Sequence, residues 1–329
     1  MPIVEPAILP RRVLVTGANG FVGRAVVGAL RARAITVVAV GRRQPEIAAD
    51  ATVVIDNYDS RTDWRAALRD VDAVVHLAGR THSLDLRAPG AAATYIETNV
   101  GASVQLATQA IAAGVTRFVF MSSIKVNGEA HLGSAASTPR YAGNDTPAPR
   151  DHYGRSKWQA EQRLIALAQN HRLALTILRP PLVYGPHQRG NLRWLVDWIA
   201  HSRPLPFASV NNLRSLIYVH NLADAVVAAL AADSPSARIF TLADVDIATP
   251  DLVRAFAQAL GVRPHLWPIP PQLLLGATAL VRRTDIAERL LGSLLVDSAA
   301  ACAELGWSPR VAFAPALAAT VAAEGNRGR

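Results

Sequence analysis

Tyr153 and Lys157 lie four residues apart, and on a helix that spacing brings both side chains out on one face, about 5–6 Å apart at Cβ. A phenol beside a fixed ammonium suits proton transfer, because the positive charge favours the phenolate and draws a tyrosine pKa down from about 10. A hydroxyl from Ser122 or Ser123 can hold the oxygen whose proton moves. On its own, Tyr-x-x-x-Lys more often marks a solvated helix face. Composition argues for more here: of 34 Lys plus Arg, only Lys125 and Lys157 are lysine. A compact, tunable ammonium is wanted at those positions, where a planar guanidinium would not serve.

The elements that must position these groups alternate between strand and helix. Arg11 to Thr16 reads as a short buried strand running into Gly17, Ala18, Asn19, Gly20, Phe21, Val22 and Gly23. The helix that follows has Val22, Val26, Ala29 and Leu30 at helical spacing. Gly-x-x-Gly-x-x-Gly between a strand and a helix permits a tight turn and close backbone approach, and it presents helix N–H groups to a pyrophosphate. A second strand, Ile35 to Val40, ends in Gly41, Arg42 and Arg43, with no Asp or Glu for a ribose 2′-hydroxyl. Arginine accommodates a 2′-phosphate, so the expected cofactor is NAD(P), with NADP favoured over NAD. A third strand, Val53 to Ile55, delivers Asp56 and Asn57 toward an adenine edge, although Asp56 serves equally well as a loop cap.

A fourth apolar run, Ala73 to Leu77, leads to Ala78 and Gly79, small enough for a cofactor to pass close to the backbone. His76 and His82 flank this turn without the company a metal site needs, and His76 reads as a satisfied core residue. Asn99, in a long helix expected from about Ala91 to Ala113, is placed to bridge backbone beneath the site. Arg117 to Met121 is the fifth strand and sets Ser122 and Ser123 at its carboxyl end, the edge where parallel sheets bind ligands.

With 329 residues and 50% hydrophobic content, the chain can bury one large core or two coupled ones. Its net charge of +9 favours anionic partners. The arginines are scattered as singles and pairs rather than clustered with aromatics, which argues against nucleic acid. Cys302 is the single cysteine, so an intrachain disulfide and a cysteine metal cluster are excluded and no metal is expected. Met1 to Pro10 carries no basic-then-apolar pattern, and the apolar run Leu273 to Val281 is too short to span a bilayer. A cytoplasmic protein without membrane insertion is expected, with a homodimer one open assembly.

Taken together, Thr16 to Gly23, His76 to Gly79, Ser122-Ser123, Tyr153-x-x-x-Lys157 and Arg179-Pro180-Pro181-Leu182-Val183-Tyr184-Gly185-Pro186 resemble the extended short-chain dehydrogenase/reductases, the NAD-dependent epimerase/dehydratase group, over nearly the whole chain. The resemblance implies an α/β fold, a Rossmann-type doubly wound parallel sheet with a smaller C-terminal α/β substrate domain. Residues 1–180 with about 213–245 would bind the dinucleotide, and 181–212 with 246–329 the nucleotide sugar. It also implies a catalytic set of Ser123, Tyr153 and Lys157, with Leu77, Ala78, Gly79, Asn99 and Pro180 joining the glycine turn around the cofactor. Asn127 stands where the family usually has a tyrosine. By the same analogy Lys125, Asn191, Arg214 and Arg282 face a sugar nucleotide, with Asn191 at its diphosphate and Arg214 paired with a phosphate. Trp194 and Trp198 read as helix core.

Dehydratases of the family carry Asp-Glu just after the catalytic Ser or Thr. Ile124-Lys125 stands there instead, leaving reduction or epimerisation at C4. The segment Ser122 to Glu129 is most similar to the branch of UDP-N-acetylquinovosamine dehydrogenases, so the first expectation is reduction of a UDP-4-keto-6-deoxy sugar for surface polysaccharide. A UDP-hexose 4-epimerase with tightly held NAD is the alternative. A non-catalytic dinucleotide sensor and a steroid or flavonoid reductase complete the field, the first opposed by the retained Tyr153 and Lys157 and the second by the Asn191 and Arg214 segments.

Overall fold

The structure is a computed structural model that describes residues 9–81, 90–132, 135–188, 190–232, 236–280 and 290–325. Its main sheet has seven strands, all parallel to their neighbours: β1 (Arg12–Thr16), β2 (Thr36–Gly41), β3 (Ala51–Val54), β4 (Ala73–His76), β5 (Arg117–Met121), β7 (Ala174–Arg179) and β10 (Arg238–Thr241). Their spatial order is β10-β7-β5-β4-β1-β2-β3. The chain builds outward from β1 to β3, then returns past β1 to lay down β4. In open α/β sheets such a reversal is where ligands bind, outside the carboxyl ends of the strands, here those of β1 and β4.

The strands are runs of Val, Leu, Ile and Phe because both faces of the sheet are covered. Val13 and Val15 face one helical layer, formed by α1 (Phe21–Arg31) and α6 (Val219–Ala231). Leu14, on the opposite face, meets the layer of α3 (Ala102–Ala112) and α4 (His152–Asn170), with Leu106, Phe118, Phe120 and Leu164. A one-residue slip of β1 would exchange these two cores, so the register Val13↔Val37 and Val13↔Ala73 is fixed by packing on both sides.

Two smaller sheets sit beyond the carboxyl edge. β8 (Leu182–Tyr184), β9 (Arg214–Tyr218) and β11 (Val245–Ile247) form one, and β6 (Arg140–Tyr141) pairs with β12 (Leu295–Val296) in the other. Helices α5 (Asn191–Ala200), α7 (Thr249–Leu260) and α8 (Pro271–Leu280) lie in this part of the chain.

Local expectations change in two places. The helix expected from Ala91 to Ala113 is interrupted: α2 (Ala91–Ile96) passes through a π-helical turn, Glu97–Gly101, before α3. Trp194 is not core but 51% exposed, with Trp198 packed between it and the interior.

Candidate active site

At the carboxyl end of β1 the chain turns through Gly17 to Gly23. Gly17 has φ +67°, and a Cβ there would lie 2.9 Å from the Ala78 nitrogen in the turn after β4. A Cβ on Gly23 would lie 2.2 Å from the Gly17 carbonyl oxygen. Glycine is therefore required at both, and the turn keeps the closeness to the α1 amino terminus that a pyrophosphate needs. Phe21 and Val22 open α1 and pack partly buried against the core. Asn19 has a scaffold role in addition: it accepts from the Glu46 N–H at 3.1 Å and donates to the Arg43 and Gln44 carbonyls, both at 3.4 Å. The loop that carries Arg42 is thereby tied to the glycine turn.

Arg42 is exposed, as are Asp56 and Asn57 after β3. Tyr58, which sequence reading passed over, lies between these groups: its phenol sits against the Gly17 backbone and feels the Arg42 charge, yet burial pushes its pKa up to about 12. Its only signal in the sequence is a tyrosine two residues after a candidate adenine contact.

The turn after β4 is held by the Thr16 hydroxyl, which accepts from the N–H groups of Leu77 (3.2 Å) and Ala78 (3.1 Å). His76 is fully buried, with Nδ1 2.7 Å from Thr16 Oγ1 and Nε2 2.8 Å from Ser103 Oγ. Burial, helped by the Lys157 charge, lowers its pKa to about 3. It is the satisfied core histidine expected; His82 lies outside the described residues. Asn99, in the π-helical turn, accepts from the Arg80 N–H (2.7 Å) and donates to the Arg80 carbonyl (3.0 Å) and to Ser156 Oγ (2.9 Å). One buried amide so joins the turn after β4 to the helix that carries Tyr153 and Lys157, and π-turns recur at functional sites.

α4 is capped by Asp151, whose Oδ1 accepts from the Gly154 N–H at 2.7 Å. Tyr153 and Lys157 emerge one turn apart toward the end of β5. Ser123, which caps the short 3₁₀ turn Ile124–Val126, hydrogen-bonds the Tyr153 phenol, and its Oγ accepts from the Lys125 N–H at 3.3 Å. Ser122 is buried, and its hydroxyl finds no partner among the described residues. Pro180 anchors the same segment through its carbonyl, which accepts from the Ile124 N–H at 3.0 Å.

The electrostatics differ from the sequence expectation. Burial raises the Tyr153 phenol to about 12, assisted by the Asp151 carboxylate, and only the Ser123 hydrogen bond opposes it. Lys157, 3% exposed, falls to about 8, again through burial, with Glu161 opposing. Its Nζ donates to the Met121 carbonyl at 2.8 Å and lies 4.6 Å from the Phe120 ring centroid. Desolvation weakens both charged forms, and the ammonium is spent on a carbonyl rather than on the phenol. A Cβ at Gly79 would lie 3.2 Å from both Lys157 Nζ and Asn99 Oδ1, so turn, amide and ammonium meet at one point.

Two of the residues expected at the sugar hold partners within the protein. Lys125 Nζ contacts Glu129 Oε1 at 3.1 Å and the Asp151 carboxylate more closely. Arg214, at the start of β9, donates to the Gly292 carbonyl at 3.1 Å. Asn191 is the first residue of α5, and Arg282 lies outside the described residues. Asn127 is directed inward: it accepts from Arg179 Nη1 at 3.0 Å and donates to the Ala142 carbonyl at 2.7 Å. Arg179 also pairs with Glu161 at 2.5 Å, both 1% exposed. Among the described residues, no cluster of His, Cys, Asp and Glu has the geometry to hold a metal.

Comparison with known proteins places the chain in a family. The model of the "NAD dependent epimerase/dehydratase family" matches residues 13–243. A UDP-glucose 4-epimerase of Vibrio cholerae is 35% identical over 304 residues, 92% of each chain. The Thermotoga maritima UDP-glucose 4-epimerase solved with UDP-glucose superposes with a TM-score of 0.76 at 21% identity, covering 97% of this chain and 100% of that one. The Thermus thermophilus UDP-glucose 4-epimerase solved with NAD gives 0.73 at 24% identity, covering 95% and 98%. The chain is an enzyme and belongs to the NAD-dependent epimerase/dehydratase family.

Proposed function

We propose that the chain is a UDP-hexose 4-epimerase that works with a tightly held NAD(P). The observation that carries this reading is the Tyr153 phenol, hydrogen-bonded to Ser123 and one helical turn from a buried Lys157 at the carboxyl edge of the sheet. The 35% identity to an epimerase over 92% of both chains supports placing the epimerase ahead of the reductase that the segment Ser122 to Glu129 suggested first.

The glycine turn, closed to any side chain at Gly17 and Gly23, fits a dinucleotide. Gly17, Asn19, Gly20, Phe21, Val22 and Gly23 would hold the pyrophosphate end, Arg42, Asp56 and Asn57 the adenosine end, and Leu77, Ala78, Gly79, Asn99 and Pro180 the nicotinamide end. When bound, the cofactor supplies hydride uptake from, and return to, C4 of the sugar. Ser123 would donate a hydrogen bond to the C4 oxygen, while Tyr153, entering as the phenolate, would accept the hydroxyl proton and, as the phenol, return it to the ketone oxygen. Lys157, its Nζ held on the Met121 carbonyl, would supply positive charge one helical turn away. Lys125, Asn191, Arg214 and Arg282 would contact the nucleotide sugar, dividing the work between residues 1–180 with 213–245 and residues 181–212 with 246–329.

A second reading, reduction of a UDP-4-keto sugar with NADPH, has its own support. A phenol raised to about 12 is held as the acid that a ketone oxygen needs, and exposed Arg42 suits a 2′-phosphate. Turnover decides. Interconversion of two UDP-hexoses without net cofactor change is the expected result; stoichiometric oxidation of added NAD(P)H by a UDP-4-keto sugar would replace it with the reductase.

A further inference from the structure

Three of the large apolar side chains that the fold leaves exposed are Trp194 (51%), Trp267 (56%) and Leu273 (64%). They lie on two segments that the backbone ties together. Trp198, one turn on from Trp194 with ring centroids 4.6 Å apart, donates its indole N–H to the Pro204 carbonyl at 3.0 Å. The next residue, Leu205, pairs with the second segment: its N–H donates to the His265 carbonyl (2.8 Å) and its carbonyl accepts from the Trp267 N–H (2.9 Å). α8, with Leu273 in its first turn, begins four residues after Trp267.

The charges on these segments are nearly all of one sign. Arg193, Arg203 and Arg263 are exposed, against a single acid on these segments, Asp197, which pairs with Arg193 at 3.7 Å. The Arg203 guanidinium lies 4.9 Å from the Trp198 ring centroid. Scattered apolar residues on a surface need no explanation, but two tryptophans in contact on one segment, an exposed tryptophan and leucine on the segment paired with it, and arginines on both have the composition of a face that rests in a lipid headgroup layer. Indoles favour that boundary, and arginines are drawn to anionic headgroups, an attraction that the chain's net charge of +9 reinforces. No described helix is long and apolar enough to cross a membrane, so the contact is peripheral.

We propose that this face, formed by α5 with the segment from Arg263 to Leu273, docks on the surface of an anionic lipid bilayer. Docking would bring a sugar-nucleotide enzyme to the surface where lipid-linked sugar acceptors are held, and it stands whichever C4 reaction is catalysed.

Co-sedimentation of the full chain with vesicles tests this. Wild type is expected to bind phosphatidylcholine vesicles containing phosphatidylglycerol, to bind pure phosphatidylcholine weakly, and to be released by salt. Trp194→Ser/Trp267→Ser/Leu273→Ser should abolish binding. Arg203→Glu/Arg263→Glu, whose side chains are exposed, keeps the test decisive if the first variant does not fold; it should lower the partition coefficient by roughly fivefold or more for each arginine removed. Failure of wild type to bind anionic vesicles would overturn the proposal, as would equal binding by wild type and folded variants. A wild-type dimer on size-exclusion chromatography that the triple variant converts to monomer would assign the face to a second copy instead.

Discussion

The ammonium of Lys125 rests on the carboxylate of Asp151, the residue that caps the helix carrying Tyr153. Lys125 also holds the Ser123 hydroxyl through its own N–H, so one residue touches the supports of both hydroxyl groups in the candidate site. The negative charge of Asp151 pushes the Tyr153 pKa up, and Lys125 opposes that charge. Lys125→Met should therefore raise the phenol pKa further, moving the limb of the kcat profile that reports Tyr153 upward by a few tenths to about one pH unit. Lys125→Arg, which keeps the charge, should return the limb to its wild-type position even where the broader fork lowers kcat itself. A limb that stays in place in Lys125→Met would mean that Lys125 does not act through Tyr153.

Tyr153→Phe keeps the ring and its packing against Tyr95, with centroids 6.4 Å apart, but removes the hydroxyl that bonds Ser123. The expected loss in kcat is about 10²–10⁴-fold, the usual size of a general acid–base contribution. Cofactor affinity and melting temperature should change little. Equal turnover by the variant and the wild type would remove Tyr153 from the chemistry.

His76 gives a pH dependence of stability whose sign is set by its burial. Its folded pKa, about 3, lies below the unfolded value near 6.5, so the unfolded chain binds the extra proton between those limits. The stability that neutral His76 contributes is complete above about pH 6.5 and is lost as pH falls toward 3. Thermal midpoints of wild type should fall across that window more steeply than those of His76→Gln. Parallel curves for the two proteins would contradict the assignment.

Arg179 and Glu161 form a buried ion pair, and removing one partner strands the other. Glu161→Ala should cost about 3–5 kcal/mol in urea unfolding. Glu161→Leu/Arg179→Leu should recover much of that loss, although Asn127 Oδ1 would then lack its Arg179 donor. A double variant as unstable as the single one would show that the pair contributes more than the desolvation of its charges.

The local parts of this protein are readable from sequence, and the long-range connections are not. Strands β1, β2, β4 and β5 announce themselves as short apolar runs, and the glycine turn by its place between strand and helix, because both patterns span a few consecutive residues. The expectation that His76 is a satisfied core residue is met by Thr16 and Ser103, 60 and 27 residues distant. Nothing local marks the link of Asn99 to Ser156, 57 residues away, or of Arg179 to Glu161, since an amide or a charge does not declare its partner. The helical spacing of Trp194 and Trp198 suggested a buried stripe; the structure buries Leu192, Val196 and Ile199 and turns Trp194 outward. The phenol was expected to be acidified by a neighbouring charge, but its burial, which depends on the assembled fold, acts in the opposite direction and dominates.

The π-helical turn from Glu97 to Gly101 has a genetic corollary. A single extra residue there offsets everything downstream in the helix by about 100° relative to an uninterrupted coil. Leu106 and Ala107 reach the interior in step with that offset, while Asn99 sits inside the widened loop that created it. Loss of one codon anywhere in those five positions would yield a smoother, more regular helix and a worse protein, forcing a choice between a filled interior and an amide placed to join two halves of the catalytic cleft.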